Sequence, residues 1–435
     1  MPSARRPART RLTVTELGAR VVPAVVLTTL DLDGDGAADD IRIVGDTQNT
    51  RVTLQDNGAN TVTIAIDANG DGDLTDGGDS IGVPHNFQGD SVAFDINLGG
   101  GNDTVEYTTT GNYSASTRTL WVNLGGGNDK FQFTANAFDT LNASAIAFDL
   151  TGGGGNDTVG IQFDEVRKGL VAVTTDLGAG SDTYTSAFDR IDDGAAVTLR
   201  TELGAGPNVY TADFQEVGFG DRGSVDLDVV GGAQVDTVQL NMHDDIGNGT
   251  KASRFSAAVD LLGGNDVYKA LFDRAGNVFR VDDHSQAAFA VRGGAGDDAL
   301  TAAQTGAAGT IRIDPDALLS LDLAGGLGND QLVTDFGATD TFELIGALRV
   351  RMDGGLGADA LTCLLANEAD TTGDYDVALR AGAGKDTMAF SLVNNAGTPT
   401  LGPTGKALLD GGLGTDTLTN AAKALSVGIG FEVVV

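Results

Sequence analysis

The chain has 435 residues and a formal net charge of −34, from 61 acidic and 27 basic side chains. This charge excludes the usual basic nucleic-acid surface, because phosphate would be repelled. The single cysteine excludes an internal disulfide framework, and the absence of an 18-residue apolar run excludes a transmembrane helix. Glycine contributes 63 residues, and only eight of the acids are Glu, which leaves 53 Asp, the acid that suits tight turns and metal loops.

The first 26 residues are predicted to be a basic targeting segment. Arginines stand at positions 5, 6, 9, 11 and 20, and a short apolar stretch at residues 21–30 follows, a pattern typical of export signals. Leu-Thr-Val-Thr-Glu-Leu at 12–17, followed by Arg-Val-Val-Pro-Ala at 20–24, resembles an N-terminal sorting segment of large bacterial surface proteins. The resemblance implies a secreted or surface-attached bacterial protein, and a disordered basic tail is the alternative.

Two acidic loops lie in residues 27–90, which we predict to be a short N-terminal β region. Each loop has oxygen ligands at positions 1, 3 and 5 and glycine at position 6, which resembles the calcium loops of EF-hand and dockerin domains. The implied calcium ligands are Asp31, Asp33 and Asp35 in the first loop, and Asp67, Asn69 and Asp71 in the second. The position-12 Glu is missing from both, so Asp39 and Asp40 in the first loop, and Asp76 and Asp79 in the second, could supply the last oxygens instead. The flanking segments alternate like strands, and a solvated acidic turn is the alternative.

A glycine-rich run that closes on an acid or amide recurs twelve times in the rest of the chain, at intervals of 25 to 32 residues. Apolar and polar residues alternate on both sides of each run, as at residues 92–98 and 104–107, which predicts half-buried strands. No repeat can bury its apolar face alone, so neighbours must stack. The runs close at Asp103, Asp129, Asp157, Asp182, Asn208, Asp236, Asp266, Asp298, Asp330, Asp359, Asp386 and Asp416.

We therefore predict an all-β protein in which residues 91–435 form a parallel β-solenoid of about twelve coils, each of ~28 residues. In this arrangement the glycine-rich turn keeps a fixed place in every coil, and the variable third stretch of each repeat forms a loop outside the constant cross-section. The competing arrangement folds each repeat as an antiparallel hairpin across its glycine-rich turn.

Five runs fit Gly-Gly-x-Gly-x-Asp in full, and an apolar residue stands two positions after the acid in each. This pattern resembles the RTX, or haemolysin-type, calcium-binding repeat, in which turn carbonyls and the Asp carboxylate bind Ca²⁺ between stacked turns. The resemblance implies Ca²⁺ ligands at Asp157, Asp298, Asp330, Asp359 and Asp416. The incomplete runs that close at Asp103, Asp129, Asp182 and Asp386 keep the later glycine but lack the first, and their acids are candidate ligands too. RTX motifs recur every nine residues, whereas here only one corner of each coil would carry the motif.

Elementary electrostatics also favours a cation at these turns. Carboxylates stacked ~5 Å apart repel by about 1 kcal/mol in water, and by several-fold more where they are partly buried. We therefore predict an extracellular structural or adhesive protein that folds or becomes rigid on binding Ca²⁺. Its further partners would be cell-surface polysaccharide or other envelope components.

Two alternatives stay open from the sequence. One is a carbohydrate-active parallel β-helix enzyme, such as a polysaccharide lyase, hydrolase or epimerase. The other is a metal-free structural solenoid in which Asn and Asp form hydrogen-bonded ladders. We predict no catalytic residue, because His85, His243 and His284 fall in different parts of the chain and Cys363 lies in a predicted strand without a nearby histidine.

Overall fold

The computed structural model describes residues 25–75, 79–87, 91–135, 138–139, 144–218, 222–247, 251–272, 278–304, 310–336, 341–367, 373–394, 406–420, 427–429 and 433–434. These residues form β-strands and no helix, so none of them belongs to a helix that could cross a membrane. Most of the predicted targeting segment, residues 1–24, lies outside the described residues, and so does Asp76.

The strands are numbered in chain order. They are β1 (Val26–Leu30), β2 (Asp40–Val44), β3 (Arg51–Asp56), β4 (Thr61–Asp67), β5 (Ser80–Asn86), β6 (Ser91–Asn97), β7 (Thr104–Thr109), β8 (Thr117–Gly126), β9 (Lys130–Ala135), β10 (Phe138–Asp139), β11 (Ala145–Gly154), β12 (Thr158–Arg167), β13 (Leu170–Asp176), β14 (Thr183–Asp192), β15 (Ala195–Glu202), β16 (Val209–Val217), β17 (Gly223–Val230), β18 (Thr237–Met242), β19 (Arg254–Asp260), β20 (Val267–Phe272), β21 (Val278–Val281), β22 (Gln286–Ala295), β23 (Ala299–Ala303), β24 (Thr310–Ile313), β25 (Leu318–Leu327), β26 (Gln331–Phe336), β27 (Thr341–Leu344), β28 (Ala347–Leu356), β29 (Ala360–Asn367), β30 (Asp374–Gly384), β31 (Thr387–Asn394), β32 (Lys406–Asp410), β33 (Leu413–Gly414), β34 (Thr417–Asn420), β35 (Val427–Ile429) and β36 (Val433–Val434).

Two long parallel sheets carry the coils. In the first sheet, β2, β6, β8, β11, β13, β15, β17, β19, β22, β25, β28, β30 and β32 pair in that order, all in parallel register. In the second, the parallel order is β3, β7, β9, β12, β14, β16, β18, β20, β23, β26, β29, β31 and β34. Successive coils therefore stack in register.

This topology confirms the predicted parallel β-solenoid. The strand before each glycine-rich turn belongs to the first sheet and the strand after it to the second, as β11 and β12 show on either side of Asp157. The turn is thus a corner between two sheets. The antiparallel hairpin across the turn, which the sequence left open, is wrong.

The core lies between the sheets because alternate side chains of their strands are buried, as in β8, β13 and β18. Like residues fall in register and stack, since a parallel coil repeats its cross-section about every 4.8 Å. Phe188 stacks on Phe163 and on Phe214 with ring centroids 5.3 and 5.7 Å apart, and Tyr184 stacks on Tyr210 at 4.7 Å. Such offset stacks add about 0.5–1.5 kcal/mol each beyond the apolar area that they bury.

A short third face closes the cross-section. It includes the parallel strands β21, β24 and β27 and the C-terminal ends of β12, β14 and β16. Its inner column pairs branched aliphatic residues from coil to coil, namely Val166, Ile191, Val217, Ile246, Val281, Ile313 and Leu344.

A buried ion pair closes the N-terminal end of the core, where β3, β4 and β5 run antiparallel. Arg118 Nε lies 2.7 Å from Asp56 Oδ2, and neither side chain is exposed. The hydroxyls of Tyr107 and Tyr113 donate to the same oxygen at 2.6 and 3.0 Å, and the backbone N–H of Gly58 donates to Oδ1 at 2.8 Å. The carboxylate is therefore fully hydrogen-bonded, which a buried charge requires.

Candidate functional site

The closing residues of the twelve glycine-rich runs form one continuous column, which we call the corner column. The backbone N–H of Asp103 donates to Oδ1 of Asp129 at 2.6 Å, and that of Asp129 donates to Oδ1 of Asp157 at 2.8 Å. The same bond recurs between every later pair up to Asp386 and Asp416, at 2.7 to 3.0 Å. Every member is at most 2% exposed. The calcium ligands that the sequence predicted at the corners therefore all lie in the corner column.

The corner turn needs glycine at the fourth position of its motif. Gly155 has a φ of +125°, and a Cβ there would overlap the carbonyl oxygen of Gly127 in the preceding coil and lie 2.5 Å from its carbonyl carbon. By contrast, a Cβ on Gly154 would have no atom within 4 Å. Alanine stands at the position in register with Gly154 in the next coil, Ala179. Close coil-to-coil approach at the fourth position therefore accounts for the glycine periodicity.

The second carboxylate oxygen, Oδ2, is buried and has no hydrogen-bond partner in nine members of the column. These are Asp103, Asp129, Asp157, Asp182, Asp266, Asp298, Asp330, Asp359 and Asp386. A buried charged oxygen without a donor is costly. Each of these groups must therefore either carry a proton or share its charge with a cation.

The pKa values of the corner acids reflect the same cost of burying a charge. Burial, helped by the neighbouring carboxylates, raises the pKa of Asp103 to about 7. Burial likewise raises the pKa of Asp129, Asp182, Asp266 and Asp330 to about 6. The hydrogen bond from the preceding backbone N–H opposes the shift in each case but is too weak to cancel it.

The first glycine of the full motif leaves room for Oδ2 itself. A Cβ on Gly354 would lie 2.6 Å from Oδ2 of Asp359, and one on Gly152 would lie 2.8 Å from Oδ2 of Asp157. The same Cβ on Gly152 would lie 2.5 Å from the carbonyl oxygen of Leu177 in the following coil. A carboxylate oxygen and a carbonyl oxygen from the next coil thus both pack against the first glycine. Hard oxygen donors of this kind are those that Ca²⁺ takes, so the residues present fit the ion.

Asn208 occupies the corner column as a neutral amide. Its Oδ1 accepts the N–H of Asp182 at 2.9 Å, as a carboxylate would. Its Nδ2 donates to the carbonyl oxygens of Leu203 and Gly206 in its own turn, at 3.0 and 2.8 Å. The site of the second oxygen in an Asp corner is therefore one that faces acceptors.

Asp236 also differs from the other acids of the column. Its Oδ2 accepts the backbone N–H of Gly232 at 2.8 Å. This run has Gln234 where the motif has its later glycine, and its turn folds differently. Asp236 thus satisfies both oxygens with backbone donors.

A second, exposed ladder runs beside two stretches of the corner column, at residues 102–181 and 265–358, and is formed by residues that directly precede closing acids. Oδ1 of Asn128 accepts the N–H of Asn156 at 2.7 Å, and Oδ1 of Asp297 accepts that of Asn329 at 2.7 Å. In this ladder each side chain bonds the following coil, whereas in the corner column each bonds the preceding one. Where both ladders run, the two side chains of a corner thus bond both neighbouring coils.

The first N-terminal loop brings together two of its three predicted ligands and Asp40, one of the acids that could supply the remaining oxygens. Carboxylate oxygens of Asp31, Asp33 and Asp40 lie within 4.8 Å of one another, and Asp35 does not belong to this group. Asp40 accepts backbone N–H groups on both oxygens, from Asp33 at 2.9 Å and from Ala93 at 2.6 Å. Asp40 is thus the acid that joins this loop to the first coil.

In the second loop the predicted side chains fold onto their own backbone. Asp67 accepts the N–H groups of Gly70 and Gly72 at 2.7 and 2.8 Å, and Asn69 accepts that of Asp71 at 2.9 Å. Asp71 accepts the N–H of Asp73 at 2.8 Å. These bonds define a tight turn in which Asp67 is the buried member.

One acidic cluster was missed by sequence reasoning. Oxygens of Asp282, Asp283 and Asp314 lie within 4.8 Å of one another at a second corner. Arg312 Nε lies 2.5 Å from Asp314, and Arg280 bonds both Asp314 and Asp282. Although burial opposes it, these guanidinium groups hold the pKa of Asp314 below its usual range. Two arginines thus offset part of the charge of three carboxylates, and the 30-odd residues between the partners hide the cluster from local sequence patterns.

The cysteine and the three histidines, which are residue types that often act in catalysis, lie in different parts of the structure. Cys363 is buried in β29, and burial raises the pKa of its thiol to about 12. His243 lies 3.4 Å from Asp213 beside β18, His85 lies in β5, and His284 lies at an exposed turn before β22.

Comparisons of the chain with protein-family models, with curated proteins and with solved structures gave no match. The resemblance to calcium-binding repeats therefore rests on the sequence motifs alone.

Proposed function

We propose that this chain is a calcium-binding structural or adhesive rod that works outside the cell. The observation that carries the proposal is the set of nine buried Oδ2 atoms without a hydrogen-bond partner, aligned along one corner of the solenoid. The acids of the full motifs, Asp157, Asp298, Asp330, Asp359 and Asp416, would hold the ions together with carbonyl oxygens of their turns. Calcium supplies charge neutralisation there and no reaction step.

The net charge of −34 explains why the ion would matter to folding. Without a cation, ionised corners repel along the whole column. Binding to the folded state alone adds stability as RT ln(1 + [L]/Kd), about 2.7 kcal/mol when the ion is at 100 times its Kd. A chain that is loose where free Ca²⁺ is scarce would thus become rigid in the calcium-rich exterior. Calcium could also bridge the acidic rod to an anionic envelope polysaccharide.

A metal-free structural solenoid is the second candidate function, and Asn208 favours it. The amide fills a column position with no ion, and the N–H to Oδ1 ladder runs through it unbroken. If each corner acid whose Oδ2 has no partner carries a proton on that oxygen, the whole column could be satisfied by hydrogen bonds alone.

Replacing Asp157, Asp330 and Asp359 together by Asn separates the two candidates. Asn keeps the Oδ1 acceptor and adds the amide donors that Asn208 uses, so the ladder should survive. We expect the unchanged protein to bind Ca²⁺ in a metal-content measurement and to melt at a lower temperature in EGTA than in calcium. The triple variant should bind fewer ions and show a smaller calcium effect.

Equal melting temperatures of the unchanged protein in calcium and in EGTA would refute the calcium proposal. In that event, a triple variant that melts at or above the temperature of the unchanged protein would favour the metal-free solenoid.

A further inference from the structure

We propose that the corner column is split into two separate calcium arrays by a metal-free gap at Asn208 and Asp236. This inference rests on the proposed calcium-binding function. The N-terminal array comprises Asp103, Asp129, Asp157 and Asp182. The C-terminal array comprises Asp266, Asp298, Asp330, Asp359, Asp386 and Asp416.

The amide of Asn208 closes its corner to a cation. Two carbonyl oxygens of its own turn, those of Leu203 and Gly206, already receive hydrogen bonds from Nδ2. An ion at this corner would have to displace those two bonds and would then face the positive end of the amide dipole. The corner also lacks the charge that a carboxylate would bring to the ion.

The next corner, that of Asp236, is closed to a cation for a different reason. Oδ2 of Asp236, the atom that lies without a partner in nine other corners, here accepts the N–H of Gly232 at 2.8 Å. Its Oδ1 accepts the N–H of Asn208 at 3.0 Å. Two adjacent corners therefore have no spare oxygen, although the ladder of hydrogen bonds passes through both.

The gap is wide enough to separate the arrays electrically. Asp182 and Asp266 are three coils apart, which is about 14 Å at the usual spacing between strands. Because the Coulomb energy falls with distance, charges across the gap interact about one third as strongly as those of adjacent corners. Loading one array should therefore change the calcium affinity of the other much less than it changes the affinity of neighbouring acids within the same array.

The two arrays also differ in composition. Among the corners with the full motif, the N-terminal array contains only the one that closes at Asp157, and the C-terminal array contains the other four. The first position of the N-terminal runs is otherwise leucine, namely Leu98, Leu124 and Leu177, whose side chains are buried in the core. We therefore expect the C-terminal array to fill at the lower calcium concentration.

Hydrogen exchange measured by mass spectrometry across a calcium titration of the full chain tests the division. Strand β12 follows Asp157 and reports on the N-terminal array, and β26 follows Asp330 and reports on the C-terminal one. We expect two midpoints of protection. The variant Asp157→Asn should move the β12 midpoint about tenfold, a loss of about 1.4 kcal/mol in binding, and the β26 midpoint less than twofold. Asp330→Asn should do the reverse, and each variant is the matched control for the other.

One common midpoint that moves in both strands with either variant would overturn the division and leave the calcium proposal standing. Protection that is independent of calcium in both strands would overturn both proposals.

Discussion

Two neighbouring glycines of one corner, Gly154 and Gly155, should respond in opposite ways to the same substitution. At Gly155 the φ of +125° and the overlap with the carbonyl of Gly127 both oppose a side chain. A non-glycine residue in such a backbone region costs on the order of 1–3 kcal/mol. Forcing a methyl group against backbone in a close-packed interior costs about 1–3 kcal/mol more. We therefore expect Gly155→Ala to lower the free energy of unfolding by about 2–6 kcal/mol.

The control is Gly154→Ala, one residue away in the same turn. No atom lies within 4 Å of the added Cβ, the φ is not positive, and alanine occupies the register-equivalent position, Ala179. The substitution should therefore be neutral, or stabilise by about 0.4–1 kcal/mol because the unfolded chain loses freedom.

Urea unfolding followed by tryptophan fluorescence measures both variants. Trp121 is the chain's one tryptophan, and it lies in β8, which pairs with β11 next to these glycines. Equal unfolding midpoints for Gly155→Ala and Gly154→Ala would refute the reasoning that close coil approach selects the glycine.

The remaining predictions concern charge and pH. Arg118→Met should cost about 3–5 kcal/mol because it strands the buried Asp56 carboxylate, whereas Arg51→Met, in an exposed pair, should cost less than about 1 kcal/mol; equal losses in urea unfolding would contradict this. In EGTA the melting temperature should decrease as the pH is raised from 5 to 8. The pKa of corner acids such as Asp129 is about 6 when folded and near 3.8 when unfolded, so the stability present at low pH is lost as pH rises through the folded value. A melting temperature that rises over this range would refute the assignment. Burial and the nearby Asp244 raise the pKa of Asp245 to about 7, so Asp245→Asn should add about 1–2 kcal/mol of stability at pH 8 and little at pH 4. An equal gain at both values would argue against a charge effect.

The fold could be predicted from the sequence because its causes are local and repeated. The alternation of apolar and polar residues around each turn predicted the strands, and the recurring glycine run predicted where each coil bends. The column of acids followed from those two patterns, since one corner per coil in a parallel stack must come into register.

The roles of individual side chains could not be predicted in the same way. Nothing local to Asp157 shows that its Oδ1 accepts an N–H from the preceding coil, or that Asn208 can replace an acid without breaking the column. In the first N-terminal loop the sequence offered both Asp35 and Asp40, and only the folded chain shows that Asp40 joins Asp31 and Asp33. The pair of Arg118 and Asp56 spans 62 residues, so only the folded chain brings it together.

The uniform bond between successive corners has an evolutionary consequence. Each coil offers the same donor and the same acceptor to its neighbours, so a duplicated or deleted coil would meet a complementary surface on either side. Gene duplication could therefore lengthen or shorten such a rod in whole steps of about 4.8 Å without inventing a new contact. The variable third stretch of each repeat, which differs in length from coil to coil, would remain free to diversify while the cross-section stays constant.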